Sequence, residues 1–305
     1  MAKIDILMAT FNGGAYIRQQ ILSIIAQTHI DWKLYIHDDG STDDTIEIIK
    51  ELQSKYPQIE LIEDGQQFHS PALNFIHLLK FSTADFICFC DQDDIWIENK
   101  LSRLLLEAPI TSVPLVVVSE GYLFNSKDNL IIGRFEYKIN TLRDLLFVNG
   151  GVHGSRCMIN RAMKEAMLKY VGSINMHDHL MTQIGCSFGE IKYIDTPLFF
   201  YRQHTHNLTG NITSSRIRRL INGFSSLGNK FLVSKEVYNC NAAFLSNYES
   251  SLSSEDKQTL NNYLSIKNRG YLSRLFLILK GKFSICANAR LQLLVKAATR
   301  RLYDA

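Results

Sequence analysis

The first hundred residues alternate short apolar runs with stretches whose apolar positions recur every three or four residues. Residues 3–8 read as a buried strand. Ile17, Ile21, Ile24, Ile25 and Thr28 then fall at helical spacing, with Arg18, Gln19 and Gln20 on the other side. Leu34-Tyr35-Ile36 reads as a second strand. Ser41 and Asp44 carry an N-cap signature for a helix with Ile46, Ile49 and Leu52 on its apolar side. Residues 59–62 form a third strand, and Ser70-Pro71 opens a helix through Leu73, Ile76 and Leu79 to about Ser82. Phe86 begins a fourth strand. Alternation of this kind predicts an α/β fold, a parallel sheet with helices on both faces, in which ligands bind beyond the strand carboxyl ends.

The pattern is sparser afterwards. Residues 115–119 and 191–194 read as strands, Pro197–Tyr201 as a further candidate, and a helix through Ile184 is expected just after Met176-His177-Asp178-His179-Leu180. From Ser214 the pattern is helical, first with Ile217, Leu220, Ile221 and Phe224, and near the end with Leu291, Leu294, Val295, Ala298 and Leu302. Arg290, Lys296, Arg300 and Arg301 interleave with that last group.

Composition bounds the class. With 305 residues, 46% apolar and 21% charged, the chain is long enough for one large or two small globular domains, and five prolines without a low-complexity tract argue against long disorder. Six scattered cysteines (88, 90, 157, 186, 240 and 286) lack paired metal-type spacing, so a reducing cytoplasm is the expected compartment, with Cys88 and Cys90 in the core. Ile4–Thr10 is too short for a signal peptide and contains Asp5, and Lys280 breaks the apolar run before it reaches transmembrane length.

Charge changes the picture at the far end. From Lys267 onward there are nine Lys or Arg and one acid, a net +8; the total of +3 then leaves −5 on the preceding 266 residues. A basic amphipathic tail on an acidic body fits either peripheral contact with an anionic membrane or packing on the catalytic body or a second subunit in a homodimer. Nucleic acid is not an expected partner, because stacking aromatics are sparse in the tail and the remainder is acidic.

The chemistry concentrates where apolar strands stop. Phe86-Ile87-Cys88-Phe89-Cys90 gives way to Asp91-Gln92-Asp93-Asp94. Asp91 and Asp93 point to one side if the backbone stays extended, and two like charges aimed at one spot repel unless a cation lies between them. A divalent metal holding a nucleotide diphosphate is one reading; an acidic turn before the next helix, near Glu98, is the other. The loops at Thr10, Asp38 and Asp91 all follow strands, so they converge on one crevice, which favours the metal. Asn149-Gly150-Gly151-Val152-His153-Gly154 lets backbone approach a ligand or simply bends. In Met176-His177-Asp178-His179-Leu180 the residues alone favour an N-capping role for Asp178.

Met8-Ala9-Thr10-Phe11-Asn12-Gly13, Gln27-Thr28, Asp38-Asp39-Gly40-Ser41-Thr42-Asp43 and Cys90-Asp91-Gln92-Asp93-Asp94-Ile95-Trp96 together resemble family 2 glycosyltransferases. Tyr201-Arg202-Gln203-His204, followed by Asn207, resembles the family's rhamnosyltransferase-type branch. The resemblance covers residues 3–210. It implies a GT-A fold with a Rossmann-like, mostly parallel central sheet, organised as a glycosyltransferase domain over 1–212 (nucleotide-binding half 1–110, acceptor-binding half 111–212) and a helical, basic region over 213–305. Carried over by position, Thr10 and Phe11 would frame base and ribose, Asp39 would bond the base, and Asn74 would contact the nucleotide. Ala9, Asn12, Asp38, Gln92, Gly150 and Gly151 are the further implied nucleotide-sugar contacts. Asp91 would lie near ribose and metal, Asp93 would be the main ligand of Mn²⁺ or Mg²⁺, and His204 would complete the metal site. Asp178 matches the general base. Two positions depart from the family's pattern: His179 stands where a bulky aromatic is common, and the Asn149 loop lacks the cysteine common in this branch.

The implied activity is metal-dependent, inverting transfer of a sugar from a nucleotide sugar (dTDP-rhamnose or a UDP-hexose) to a glycan or lipid-linked glycan, at the cytoplasmic face of the membrane. Two alternatives accompany it. A nucleotidyltransferase also places carboxylates on a metal at strand ends, but usually carries a basic phosphate loop near the first strand, and here no Lys or Arg follows Thr10 until Arg18. A non-catalytic binding subunit with the same fold would have no need to keep Asp39, Asp91, Asp93, Asp178 and His204 together.

Overall fold

A computed structural model describes residues 2–135, 137–204, 231–285 and 290–302. The sequence patterns at Asn207 and at Ile217–Phe224, Cys286, and the expected boundary at 212/213 lie outside those residues. The chain separates into two units: Met1–Glu136 with His153–Leu168 and Glu190–Gly210, and Tyr137–Val152 with Lys169–Gly189 and Asn211–Ala305.

The first unit is built on a sheet of nine strands among the described residues, in the order β3-β2-β1-β4-β8-β6-β9-β5, with β7 added on β6. Its first half follows the expected alternation: β1 (Ile4–Thr10), α1 (Gly14–Ile25), β2 (Trp32–Asp38), α2 (Thr45–Lys55), β3 (Ile59–Ile62), α3 (Pro71–Leu79) and β4 (Phe86–Asp91). All pairings among these four strands are parallel. Their cores are mostly apolar (Ile4, Ile6, Leu7, Met8, Leu34, Ile36, Ile87, Cys88 and Cys90 are all buried), as strands covered on both faces require, with Asp5 and His37 among the buried exceptions.

Antiparallel pairing enters with the second half: β5 (Ile95–Trp96), α4 (Lys100–Leu106), β6 (Leu115–Asn125), β7 (Leu130–Phe135), β8 (Cys157–Asn160), α6 (Arg161–Leu168) and β9 (Glu190–Gln203), with α5 and α7 belonging to the second unit. β8 pairs antiparallel with β4 and β6, while β6 and β9 run parallel. The two candidate strands at 191–194 and 197–201 are one long strand. Pro197 is accommodated because the β6–β9 register shifts on either side of Glu120, which faces it.

Local details differ from the sequence pattern where side chains found better partners. Ser41 does not cap α2; its hydroxyl goes to Asp38 Oδ2, and Asp44 at the cap position makes no capping bond. Ser70 caps α3 as expected, accepting from Leu73 N with Pro71 in the first turn. That helix buries Ala72, Phe75, Leu78 and Leu79, leaving Leu73 exposed.

One buried charge ties the sheet together. Asp5, fully buried in β1, accepts hydrogen bonds at Oδ2 from Ser82 Oγ (2.9 Å), Thr83 N (2.7 Å) and Ala84 N (2.9 Å), the turn that feeds β4. A carboxylate is tolerable there only because three donors surround it.

The second unit is helical: α5 (Leu142–Leu145), α7 (His177–Ser187), α8 (Lys235–Tyr248), α9 (Ser254–Leu264), α10 (Tyr271–Lys280) and α11 (Arg290–Thr299). Tyr263 and Phe283 pack edge-on against Phe147, and the buried Asn241 accepts from Gln183 Nε2 at 2.8 Å, fixing α8 on α7. No helix among the described residues is long and apolar enough to cross a membrane.

Replacing Asp5 by Ala would strand the hydroxyl and two amides. The expected cost is about 2–4 kcal/mol, read as a lower urea midpoint, with Asp5→Asn less damaging.

Candidate active site

The carboxyl ends of β1, β2 and β4 meet at one level because the sheet's register aligns them: Thr10 lies opposite Asp38, and Ala9 opposite both His37 and Asp91. Most polar groups there hold the loops to one another. Thr10 Oγ1 donates to Asp38 Oδ2 (3.0 Å), while Asp38 Oδ1 accepts from Gly40 N (3.0 Å) and Ser41 N (2.7 Å). Asn12 sits at φ 47°, donates its N–H to Ser41 Oγ (2.7 Å) and accepts at Oδ1 from Thr42 N (2.8 Å). Phe11 and Gln92 exchange two hydrogen bonds of 3.0 Å, so the Gln92 amide stands in for a neighbouring strand. A Cβ at Gly13 would fall 2.3 Å from Gln92 Oε1, so a larger residue there would displace the Gln92 amide from this exchange.

Two implied nucleotide contacts are likewise engaged. Both Asp39 oxygens accept backbone N–H groups, from Phe68 and from Ser70 (3.0 Å). Asn74 is buried, its Nδ2 donating to the His37 carbonyl (3.1 Å) and its Oδ1 accepting from His37 Nδ1 (2.9 Å). The Phe11 side chain is 53% exposed.

The acids after β4 are arranged differently. The backbone turns after Asp91, so strand alternation does not aim Asp91 and Asp93; tertiary neighbours do. Asp93 Oδ2 lies 2.7 Å from His204 Nε2, and the His204 ring stacks on Tyr16 at 4.8 Å. Asp91 Oδ2 lies 3.7 Å from His153 Nδ1. Arg202 braces the turn, Nε donating to the Asp93 carbonyl (2.7 Å) and a terminal nitrogen to Gln19 Oε1 (2.7 Å). Asp94 is fully buried with Oδ2 unpartnered; burial, and next the charges of Asp93 and Asp91, push its carboxyl well above the usual range. Lys100 is buried nearby, donating to the Ser155 carbonyl and lying 4.0 Å over Trp96.

This donor set fits a hard dication. Three acids crowd one turn, where the charges of Asp93 and Asp91 raise the cost of ionising Asp94, and Asp93 offers carboxylate oxygen with one imidazole beside it. Asp93 and His204 are the pair that would hold it; Asp91, at the same strand end, stands opposite His153, and the implied trio is not drawn into one cluster of ligand atoms. His153, which the sequence pattern presented only as part of a glycine loop, joins this neighbourhood. Burial, chiefly, holds it down to about 4, so it is a neutral imidazole near pH 7. No local signal marks it, because the chain returns to Asp91 across 62 positions of sequence.

In the second unit, Asp178 stands in the first turn of α7, and Met176 is the cap residue, so the N-cap reading is replaced. Asp178 accepts from Gly151 N at 3.3 Å. Gly151 must be glycine: a Cβ would fall 2.1 Å from the Asp178 carbonyl and 2.2 Å from Thr182 Oγ1. Gly150 is looser, its Cβ position 3.9 Å from Asp178 Oδ1. Burial pushes the Asp178 carboxyl up to about 6, partly offset by the Gly151 and His179 amides. A carboxyl poised there accepts a proton near neutral pH. His179 is buried with Nε2 unpartnered, and burial holds it down to about 4.

The profile of glycosyl transferase family 2 matches residues 5–168. This chain belongs to that family. Among similar proteins, dTDP-rhamnosyl transferase RfbG of Shigella flexneri is 29% identical over 224 residues, covering 67% of this chain and 73% of that protein. The glucosyltransferase WfgD of Escherichia coli is 27% identical over 199 residues, covering 62% and 76% respectively. The fold is GT-A. Residues 1–349 of S. aureus TarS, solved with UDP-GlcNAc, align with a TM-score of 0.53 at 14% identity, covering 96% of this chain and 90% of that one. The mannosyltransferase PcManGT of Pyrobaculum calidifontis, solved with GDP-Man and Mn²⁺, gives 0.52 at 12% identity, covering 92% and 73%. The protein is therefore a family 2 glycosyltransferase related to enzymes of polysaccharide synthesis.

The raised Asp178 carboxyl has a stability consequence of fixed sign. The folded state holds the proton more tightly than the unfolded chain, whose value is about 3.9, so stability falls as pH rises from about 4 to about 6 and stays reduced above. Asp178→Asn removes that penalty and is expected to raise stability at pH 8 by about 2–3 kcal/mol, with little effect at pH 4. Urea melts at the two pH values measure the difference.

Proposed function

We propose that this chain is a metal-dependent inverting glycosyltransferase of cell-surface polysaccharide synthesis. It would move a sugar from a nucleoside-diphosphate donor to a hydroxyl of a glycan or lipid-linked acceptor. The observation that carries this is the Asp93–His204 pair, 2.7 Å apart, at the turn that follows the parallel strand β4 in a family 2 chain. Rhamnose from dTDP-rhamnose is the favoured donor, because RfbG is named for that donor and Tyr201-Arg202-Gln203-His204 fits the same branch. A UDP-hexose is the second choice, as in the name of WfgD.

In this scheme the acceptor oxygen bonds the anomeric carbon from the face opposite the diphosphate. Asp178 takes the hydroxyl proton as that bond forms, and the electron pair of the breaking C–O bond leaves with the diphosphate. Direct displacement without an enzyme nucleophile inverts the centre. Mn²⁺ or Mg²⁺ held by Asp93 and Asp91, with His204 beside them, would stabilise the negative charge of the leaving diphosphate. Thr10, Phe11, Asp39 and Gln92 would shape the base and ribose pocket, mostly by holding loops rather than by reaching the nucleotide with free side chains.

Replacing Asp93 by Ala should abolish metal-dependent nucleotide binding, read by calorimetry with dTDP and UDP. Asp178→Asn should spare that binding and cut transfer by about 100-fold or more. In the intact enzyme, turnover should rise with pH through about 6 as Asp178 loses its proton. Nucleotide binding by Asp93→Ala at the native affinity, or full turnover by Asp178→Asn, would remove that residue from its role.

Attachment to the inner face of the membrane is part of the same proposal. Leu272, Phe276 and Leu279 recur at helical spacing on α10 and are exposed, and Arg269, Arg274, Lys280 and Lys282 accompany them in sequence. Apolar insertion beside basic residues is how a helix lies on anionic lipid. Leu272→Asp with Phe276→Asp should abolish sedimentation with phosphatidylglycerol vesicles while leaving nucleotide binding intact. Unchanged sedimentation would rule out this helix as the docking element.

A further inference from the structure

Apart from the acids that follow β4, three residues on the other side of β1 bring ligand-type atoms together. His37 is on β2, Asp64 follows β3, and His77 is on α3; their nitrogens and carboxylate oxygen all lie within 4.8 Å of one another. His37 is 1% exposed. His77 Nε2 lies 2.6 Å from Asp64 Oδ2, and His37 Nε2 lies 3.3 Å from Asp64 Oδ1.

Hydrogen bonding settles which His37 nitrogen carries the proton. The Asn74 amide is oriented by its NH₂, which donates to the His37 carbonyl at 3.1 Å. Its oxygen therefore faces His37 Nδ1 at 2.9 Å, and Nδ1 must be the N–H. In neutral His37 the lone pair then sits on Nε2, aimed at Asp64 Oδ1. Two acceptors face each other across 3.3 Å in a pocket walled by Phe68, whose ring centroid is 5.6 Å from His37 and 4.9 Å from His77. Such a pair repels unless a positive charge lies between.

We propose that His37, Asp64 and His77 bind a transition-metal dication of the zinc type, at a site separate from the Asp93 group. Two imidazoles and a carboxylate suit Zn²⁺ far better than Mg²⁺, which prefers all-oxygen sites and keeps its waters. The N–H of His37 donated to Asn74 is the arrangement that orients a ligating imidazole. The metal would clamp the segment from Asp64 to Ser70. Asp64 Oδ1 also accepts from Gln66 N at 3.0 Å, and Phe68 N and Ser70 N both donate to Asp39, so one ion fixes a loop held between two carboxylates. An effect on donor binding through Asp39 rests on the function proposed above; metal uptake does not.

The test uses the full-length Asp93→Ala protein, stripped with a chelator and titrated with Co²⁺ in millimolar Mg²⁺. One equivalent of Co²⁺, seen by its visible absorption and displaced by Zn²⁺, is the expected result. Adding His77→Ala or Asp64→Asn should weaken uptake by at least about tenfold. Zn²⁺ should raise the melting temperature of Asp93→Ala but not of the double variants, whose own melts show that they are folded. The proposal fails if Asp93→Ala takes up no Co²⁺, or if the double variants bind it equally well. It also fails if ¹⁵N spectra show His37 protonated on both nitrogens and unchanged by Zn²⁺, which would make a proton the missing charge. Because no readout uses sugar transfer, loss of this site and loss of the glycosyltransferase reading are distinguishable.

Discussion

Parallel pairing of β1 between β2 and β4 is the constraint on which the rest of the nucleotide-binding half depends. Its register sets Thr10 against Asp38 and Ala9 against Asp91, so three loops leave the sheet at one height. Parallel strands must be buried on both faces, which leaves only their ends to carry charge. The buried Asp5 holds the entry to β4 from below, and the Phe11–Gln92 exchange holds its exit from above. A slip of register in β4 would misplace every acid after Cys90.

Most of the acids at these ends are structural. Asp38 and Asp39 accept backbone amides, and Asp43 accepts from Gly14 N, Thr45 N and the Thr45 hydroxyl. Their work is to hold loops that lack regular hydrogen-bonding partners. Asp91 and Asp93 differ because imidazoles stand opposite them. A rich run of acidic residues thus divides into those that hold loops and those that face imidazoles.

The charges also divide by solvation. Asp94 and Lys100 are fully buried beside the turn, and Asp178 is buried on α7; desolvation dominates the shift of each. Where a carboxyl is raised without a compensating cation, folding stability is reduced above the shifted value. Asp178 carries such a penalty, which is the usual mark of a group kept for chemistry rather than for packing.

Much of the fold was legible because its signals are local. Strand and helix order through Asp91, the Ser70-Pro71 cap and the acids at strand ends follow from neighbours a few residues apart, and the motif order was specific for the family. The chain alone therefore determined an α/β sheet with acidic loops on one edge. Tertiary structure decided which acids are already bonded, that residues 190–203 are one strand, that Asp178 is a buried acceptor rather than a cap, and that His153 meets Asp91. It also decided the meeting of His37, Asp64 and His77, drawn from a strand, a turn and a helix. Those outcomes depend on contacts between residues tens of positions apart and on removal from water, and neither leaves a periodic trace along the chain.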